Sequence, residues 1–200
     1  MQHTIQHLYK THGNDGLLYA WFLSMHTRVD IILCCQKSEK ELMLVVNRIY
    51  DALHQLERIA NYYDPSSELS LVNQRASTAP IMISQSLYTM IALCIGYHKK
   101  TIGCFNVTIH SNNYNQDTIH SIHLYPETQS IFFQQAGTTI NLSGFLKGYA
   151  LDKIREILKI HHSKCLNKYG KQFCTRSRQS SGWHRMESQL WRSGKYNKKQ

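Results

Sequence analysis

Two spacings of apolar residues organise the first part of the chain. Segment 28–33 alternates polar and apolar side chains, which predicts a strand after the apolar segment 17–23. Segment 42–59 has helical spacing instead, with one apolar face made of Leu42, Val45, Val46, Ile49, Leu53, Leu56 and Ile59. Ser38 and Glu41 have the spacing of a capping box, so we expect the helix to begin directly after Ser38.

Shorter signals continue the order as strand, helix, helix, several strands and helix. Asp64-Pro65-Ser66 predicts a turn, and Ser67 is placed to cap a short helix. The remaining predicted elements are a helix over 84–99, short strands within 104–110, 121–135 and 138–142, and a helix over 145–158. This order favours an α+β domain, with mixed or antiparallel sheets and packed helices, over a doubly wound sheet.

Composition indicates a soluble globular protein, with 42% hydrophobic residues and three prolines. No apolar run approaches the ~20 residues of a membrane-spanning helix, so no transmembrane segment is expected. The N-terminus lacks the apolar core of a signal peptide and a lipobox-like cysteine, which makes the cytoplasm the expected compartment. None of the six cysteines forms a C-x-x-C pair, so neither a zinc site nor a disulfide framework is indicated.

The net charge of +10 is unevenly distributed. Segment 161–200 holds ten Lys or Arg and a single acid, Glu187, whereas residues 1–160 hold thirteen Lys or Arg and twelve Asp or Glu. A basic chain gains affinity for nucleic acid by displacing counterions from phosphates, but here the basicity belongs to a segment without any periodicity. We therefore assign residues 1–160 to the domain and 161–200 to a basic, unstructured tail, and we expect no nucleic-acid partner.

The junction TINLSGFLKGYALDK carries the most informative candidate chemistry. It predicts the end of a buried strand, a small-residue turn at Ser143-Gly144, and a helix with Lys147-Gly148 in its first turn. Such a junction directs backbone N–H groups and an ammonium group at an anion. Read alone, the same residues are better explained by close helix–sheet packing with a solvated Lys147, because short glycine motifs are weak signals.

Two other segments are ambiguous on their own. IGCFNVTI fits an ordinary helix-to-strand turn, and NYYDPSSELSLVN fits a helix end with a proline turn, although its Asn73 is suited to a backbone contact. The twelve histidines are scattered, and neither a P-loop nor a dinucleotide G-x-G-x-x-G motif is present.

Taken together and in order, four segments resemble the ApbE-type flavin transferases (FAD:protein FMN transferases). MHTRVDIIL is similar to the family's M-G-T strand, and LERIANYYDPSSELSLVN to its S-E-L-S-x-L-N segment. IGCFNVTI is similar to G-A-F-D-x-T, and INLSGFLKGYALDK to D-L-G-G-[IV]-A-K-G-Y-A-[VL]-D. Their order and spacing over 25–158 are far more specific than any single motif. The resemblance implies the N-terminal part of an ApbE-like α+β domain.

What the resemblance implies about chemistry is specific. Members of the family bind FAD and Mg²⁺ and transfer FMN to a Thr hydroxyl of a target flavoprotein, with release of AMP. They are often periplasmic or membrane-anchored. By motif position, the residues expected to face FAD are Met25, Tyr63, Cys104, Phe105, Asn106, Asn141 and Lys147. The backbone carbonyl of Gly144 is expected to help hold the metal, and no catalytic residue is implied.

The chain departs from the family pattern at several positions. Asn106 and Asn141 stand where the family has aspartates, His26 replaces the glycine of M-G-T, and Ser143 replaces a glycine of D-L-G-G. The family's D-x-x-x-T metal-ligand motif belongs to a C-terminal half that this chain does not contain. We therefore expect a truncated enzyme with weak or no activity. The alternatives are a flavin-binding module without transferase activity and, less favoured, a basic nucleic-acid-binding protein.

We hypothesise a one-base frame shift near His162, because the segment that follows has no apolar periodicity. The family continues after its Lys-Gly helix with a strand like A-L-I-N-x-G-G-N, where this chain has CLNKYGKQFCT. Codons that encode CLNKYGKQFCT can also be read one base later as A-L-I-N-M-G-N-S-S-V. This match to the expected strand predicts that residues beyond His162 are translated out of frame.

Overall fold

The computed structural model describes residues 5–12, 14–160, 164–169 and 173–176, which form two antiparallel sheets and four α-helices. The strands are β1 Gln6–His12, β2 Asp15–Ser24, β3 Thr27–Cys35, β4 Ile81–Met82, β5 Ile122–Tyr125, β6 Ser130–Phe133, β7 Lys164–Tyr169 and β8 Phe173–Arg176. The helices are α1 Glu39–Ala60, α2 Glu68–Arg75, α3 Gln85–Lys100 and α4 Ser143–Ile160, with a 3₁₀ helix at Gln116–Ser121. The predicted α+β class is confirmed.

The larger sheet has the strand order β1-β2-β3-β7-β8, and all its pairings are antiparallel. Alternate residues of β2 and β3, such as Leu18, Ala20, Val29 and Ile31, are buried on the helix side of the sheet. The smaller sheet has the order β4-β6-β5. Strand β1 was not predicted, because QHLYKTH reads as a polar stretch when its pairing partner is unknown.

Helix α1 packs against β2 of the larger sheet and against α4. Its capping box is present, since the Ser38 side chain accepts from the Glu41 N–H and the Glu41 side chain accepts from the Ser38 N–H. Six of the seven predicted apolar positions are buried. The exception is Ile59, which is only partly buried, while Ala60 takes the last core position of the helix.

The other helices begin at or near their predicted caps. The Ser67 side chain accepts from the Ser70 N–H, and the Ser84 side chain accepts from the Leu87 N–H. Helix α4 begins at Ser143, two residues before the predicted start. Ser143 and Gly144 therefore form its first turn rather than a preceding turn, and Lys147 lies in its second turn.

Two predicted strands, 104–110 and 138–142, are wrong, because their residues lie in turns and extended loops. Side chains occupy backbone groups that a neighbouring strand would need. The Asn106 Oδ1 atom accepts from the Thr108 N–H at 2.9 Å, which closes an Asx turn. The Ser111 hydroxyl bonds both the N–H and the carbonyl of Thr139, at 2.9 and 3.1 Å.

Strands β7 and β8 lie in the segment for which the sequence predicts no regular structure. Strand β7 pairs with β3 from Val29↔Tyr169 to Cys34↔Lys164, and β8 pairs with β7. The strands form without a strand-like sequence pattern because backbone pairing at the free edge of β3 makes few demands on side-chain identity. The frame assignment stays a prediction, and most of the tail, 177–200, lies outside the described residues.

Two further expectations concern cysteines and membrane segments. Among the described cysteines, Cys94 is a buried free thiol and Cys104 is an exposed one. Within the described ranges, no helix combines the length and the apolar character needed to cross a bilayer.

Candidate functional site

Lys147 on α4 reaches the hairpin that joins β2 and β3, although 120 positions separate them in sequence. Its Nζ atom donates to Thr27 Oγ1 at 3.2 Å, in a partly buried position. None of the ion pairs within the described part of the chain includes Lys147. An ammonium group has three donors, so Lys147 retains donors and an unneutralised charge beside the start of α4, whose first N–H groups also favour anions.

The hairpin itself has an unusual backbone. Ser24 pairs with Thr27, which leaves Met25 and His26 as a two-residue loop with φ of +50° and +55°. Positive φ at both loop positions matches the twist of a tight hairpin but is costly for residues other than glycine. The Met25 N–H donates to Glu57 Oε2 of α1 at 3.2 Å, which ties the loop to the domain.

Asn73 connects α2 to the segment that leads into α4. Its Nδ2 atom donates to the Ile140 carbonyl at 2.9 Å, and its Oδ1 atom accepts from the Ile140 N–H at 2.8 Å. The expected backbone contact of Asn73 is thereby confirmed. Because one amide satisfies both backbone groups of Ile140, the second and fourth motifs are held in fixed relation.

Asn106 and Asn141 lie in turns that meet each other. The Asn106 Oδ1 atom accepts from the N–H and the hydroxyl of Thr108, at 2.9 and 2.7 Å. The Asn141 Oδ1 atom accepts from the Ser143 N–H at 2.9 Å, at the start of α4. The Asn141 N–H donates to the Val107 carbonyl at 2.8 Å, which joins the third motif to the fourth.

Phe105 and Cys104 lie beside the start of α4. A β-carbon placed on Gly144 would lie 4.0 Å from Cε2 of Phe105, so the phenyl ring borders the first turn of the helix. The ring also meets Tyr97 edge-on, with centroids 6.3 Å apart. Cys104 is exposed. Phe105 and the first turn of α4 together define the candidate surface.

Tyr63 is 70% exposed, after the end of α1. Its contacts run through Tyr62, whose ring is 5.2 Å from Tyr63 and 5.6 Å from His110. The following turn is rigid, since the N–H and hydroxyl of Ser66 both donate to Asp64 and thereby lower the pKa of its carboxyl group.

The described residues do not by themselves fit a divalent cation. Nowhere in the described ranges do three or more His, Cys, Asp or Glu side chains converge where they could hold a metal ion. The side-chain oxygens of Asn106 and Asn141 are neutral and already accept hydrogen bonds. A hard cation prefers several carboxylate or carbonyl oxygens, and the Gly144 carbonyl is the one expected ligand here.

The sequence did not predict two residues that build this surface. Thr27 receives the Lys147 ammonium group, and Glu57 fixes the hairpin loop. Thr27 belongs to a matched motif and could have been found from it. Glu57 is a polar residue between buried positions of α1, and nothing in the helical pattern marks it.

Comparison with known proteins places these motifs in a family. The model of the ApbE family matches residues 25–183, well over half of the chain. An FAD:protein FMN transferase of Chlamydia pneumoniae is 27% identical over 164 residues, which cover 70% of this chain and 50% of the relative. The chain thus spans half of that relative's length. The matched range also includes the start of the segment that we predict to be out of frame.

Solved structures agree on the fold. The ApbE protein of Thermotoga maritima superposes with a TM-score of 0.64 at 16% identity, covering 84% of this chain and 57% of that one. The flavin transferase ApbE of Vibrio cholerae superposes with a TM-score of 0.62, also at 16% identity, covering 83% and 57%. The likeness therefore covers most of this chain and shows its fold.

Proposed function

The chain belongs to the ApbE family, and we propose on this premise that it forms the FAD-binding part of an FAD:protein FMN transferase. The complete protein transfers FMN from FAD to a Thr hydroxyl of a target flavoprotein and releases AMP. The reaction is a displacement at the pyrophosphate, in which positive charge must stabilise the phosphate oxygens while the hydroxyl attacks. Partners are therefore FAD and a protein that presents an acceptor Thr.

One observation carries the proposal: the other three motifs all contact the fourth, whose Lys147 ammonium group has no carboxylate partner within the described residues. Thr27 holds that group at 3.2 Å from the hairpin side. The first turn of α4 lies next to it and carries Gly144, which leaves the backbone open to a ligand. A cation beside a helix N-terminus suits the pyrophosphate of FAD.

Mg²⁺ belongs to the proposal for the complete protein. Bound there, it would neutralise charge on the pyrophosphate. Gly144 is the residue of this chain proposed to contribute a ligand, through its carbonyl. Because Asn106 and Asn141 supply no negative charge, we propose that FAD binding by this chain does not depend on Mg²⁺, whereas transfer by the complete protein does.

The second candidate is a flavin-binding module without transferase activity. The absence of a carboxylate cluster from the described residues favours it, because such a surface can bind a nucleotide without driving its cleavage. The two candidates differ in one product: a transferase releases AMP from FAD, and a binding module returns FAD intact.

The experiment uses the purified chain and titrates it with FAD, followed by flavin fluorescence, in Mg²⁺ and in EDTA. AMP is measured in the same samples. We expect equal FAD affinity in both buffers and no AMP from this chain. AMP release together with labelling of a Thr-containing acceptor would show that the chain is itself a transferase, and failure to bind FAD in either buffer would reject the proposal.

A further inference from the structure

His98 lies in the last turn of α3, directly beneath the loop that carries Cys104, Phe105 and Asn106. Its side chain is buried, with the residue only 8% exposed. The imidazole ring meets the ring of His120 edge-on at 6.0 Å. A β-carbon on Gly103 would contact its Cε1 atom at 3.6 Å, so the ring packs closely under the loop.

The ring makes one polar contact with the loop, and its direction is determined. Nδ1 of His98 lies 3.0 Å from the carbonyl oxygen of Phe105. A carbonyl oxygen can only accept, so Nδ1 must carry the hydrogen. The bond therefore requires the Nδ1–H form of the imidazole, which is a definite chemical property of this residue.

The other backbone group of Phe105 is also held by a side chain. The Phe105 N–H donates to Thr101 Oγ1 at 3.0 Å, and the Thr101 hydroxyl donates in turn to the Tyr97 carbonyl at 2.9 Å. Phe105 belongs to no helix or strand, so no regular hydrogen-bond ladder fixes it. Two side chains from the end of α3 take over that role.

The loop needs such support because its backbone is strained. Ile102 has φ of +52° and is almost fully exposed at 93%, and Gly103 has φ of +82°. A β-branched residue in the left-handed region is a genuine outlier. Strain of this kind persists where the surroundings over-determine the conformation. Backbone bonds to the end of α3 hold Ile102 and Gly103, and the side chains of His98 and Thr101 hold Phe105 after them.

We propose that His98 is a positioning residue of the nucleotide site, which acts through the Phe105 carbonyl to set the place of Phe105 and its neighbours against the first turn of α4. This inference rests on the proposed function, because it gives the loop an FAD-binding role. Without the bond, the phenyl ring beside Gly144 and the amide of Asn106 lose their common anchor, and the loop can move away from Lys147.

Two matched substitutions in the full chain separate the effect of losing the hydrogen bond from the effect of losing the imidazole ring. In His98→Asn, the side-chain nitrogen is attached where Nδ1 is, so the donor is kept. In His98→Gln, the amide nitrogen corresponds to Nε2, so the donor no longer lies opposite the Phe105 carbonyl. The polarity of the side chain is similar to that in His98→Asn. Both lose the ring equally. His123→Gln, on β5 away from this loop, is the control for a histidine-to-glutamine change.

We expect FAD affinity within about threefold of wild type for His98→Asn and His123→Gln, and about tenfold weaker for His98→Gln, the loss typical of one buried hydrogen bond. Equal affinity of the two His98 variants would overturn the inference while leaving the proposed function intact. Failure of the wild-type chain to bind FAD would instead reject the proposed function, and this inference with it.

If His98→Gln does not fold, a measurement on the wild-type chain can still test the hydrogen bond from His98 to Phe105. Nitrogen-15 spectra of the imidazole, assigned by the signals that disappear in His98→Asn, report which ring nitrogen carries the hydrogen. We expect hydrogen on Nδ1 of His98. A neutral ring with hydrogen only on Nε2 could not donate to Phe105 and would overturn the inference.

Discussion

His26 shows how a single residue can keep a family geometry at a cost. The M-G-T glycine suits the positive φ of the hairpin loop, and in this chain His26 adopts φ of +55° there with a β-carbon. The left-handed conformation costs an ordinary residue roughly 1–2 kcal/mol. The hairpin therefore persists because β2 and β3 pair along their whole length and Glu57 holds the loop.

Replacing His26 by glycine should stabilise the protein. We expect His26→Gly to raise the free energy of unfolding by about 1 kcal/mol, since relief of the strain exceeds the added entropy of the unfolded chain. Urea denaturation measures the change. His26→Ala keeps the β-carbon and serves as the control; a gain in His26→Ala as large as in His26→Gly would contradict the strain account.

Two cysteines should differ in reactivity and in their response to FAD. Cys104 is exposed beside the nucleotide surface, whereas burial raises the pKa of the Cys94 thiol to about 12. Since the thiolate is the nucleophile, we expect Cys104 to be alkylated quickly and Cys94 only after unfolding, with saturating FAD protecting Cys104. Mass spectrometry of the labelled peptides measures each site. Unchanged labelling of Cys104 in FAD would show that it does not face the ligand.

Among the elements, the helices were predictable and the loops of the site were not. Helices α1 and α3 combine apolar periodicity with a serine cap, and both signals are local. Segments 104–110 and 138–142 alternate like strands, but their backbone groups bond to the side chains of Asn106, Ser111 and Asn73. Local alternation cannot reveal whether a backbone group pairs with a strand or with a distant side chain.

The same limit applies to the site. Motif order indicated which residues belong together, and it led to Lys147 and Asn73. It could not show that Thr27 receives Lys147, that Glu57 holds the hairpin, or that His98 lies under Phe105, since each contact depends on tertiary packing.

Asn73 offers a test of how these elements are joined. Asn73→Leu removes two hydrogen bonds and leaves the N–H and carbonyl of Ile140 without their partners, so we expect a loss of about 2–3 kcal/mol in the free energy of unfolding. Asn73→Asp keeps an acceptor for the N–H but sets a carboxylate against the carbonyl, and should be intermediate. Chemical denaturation of both variants measures the losses; an Asn73→Leu variant as stable as wild type would contradict this link.

At the scale of the whole molecule, the charge distribution is the feature that leads us to predict a frame shift. Residues 1–160 are nearly neutral and carry the four motifs, and the basic residues are concentrated beyond them. The chain also spans only half of its curated Chlamydia relative. Our hypothesis of a frame shift near His162 accounts for the change of charge at that place, while the match to the family model continues to residue 183.

Sequencing the coding DNA on both strands, from the codon of Leu158 past that of Gln200, tests the shift. We expect a reading one base later to continue as A-L-I-N-M-G and on through the family pattern, including D-x-x-x-T. A protein expressed with that frame restored should release AMP from FAD. A shifted frame without the family pattern would show that residues 161–200 are the natural sequence.

The central claim is that Lys147 contacts FAD at the place where the four motifs meet. Titration of the chain with FAD should show binding that is about 10- to 100-fold weaker in Lys147→Ala, the range expected for loss of a charged hydrogen bond to phosphate. Lys159→Ala removes the same charge from the last turn of the same helix and should bind like wild type. Equal affinity of wild type and both variants would contradict the account.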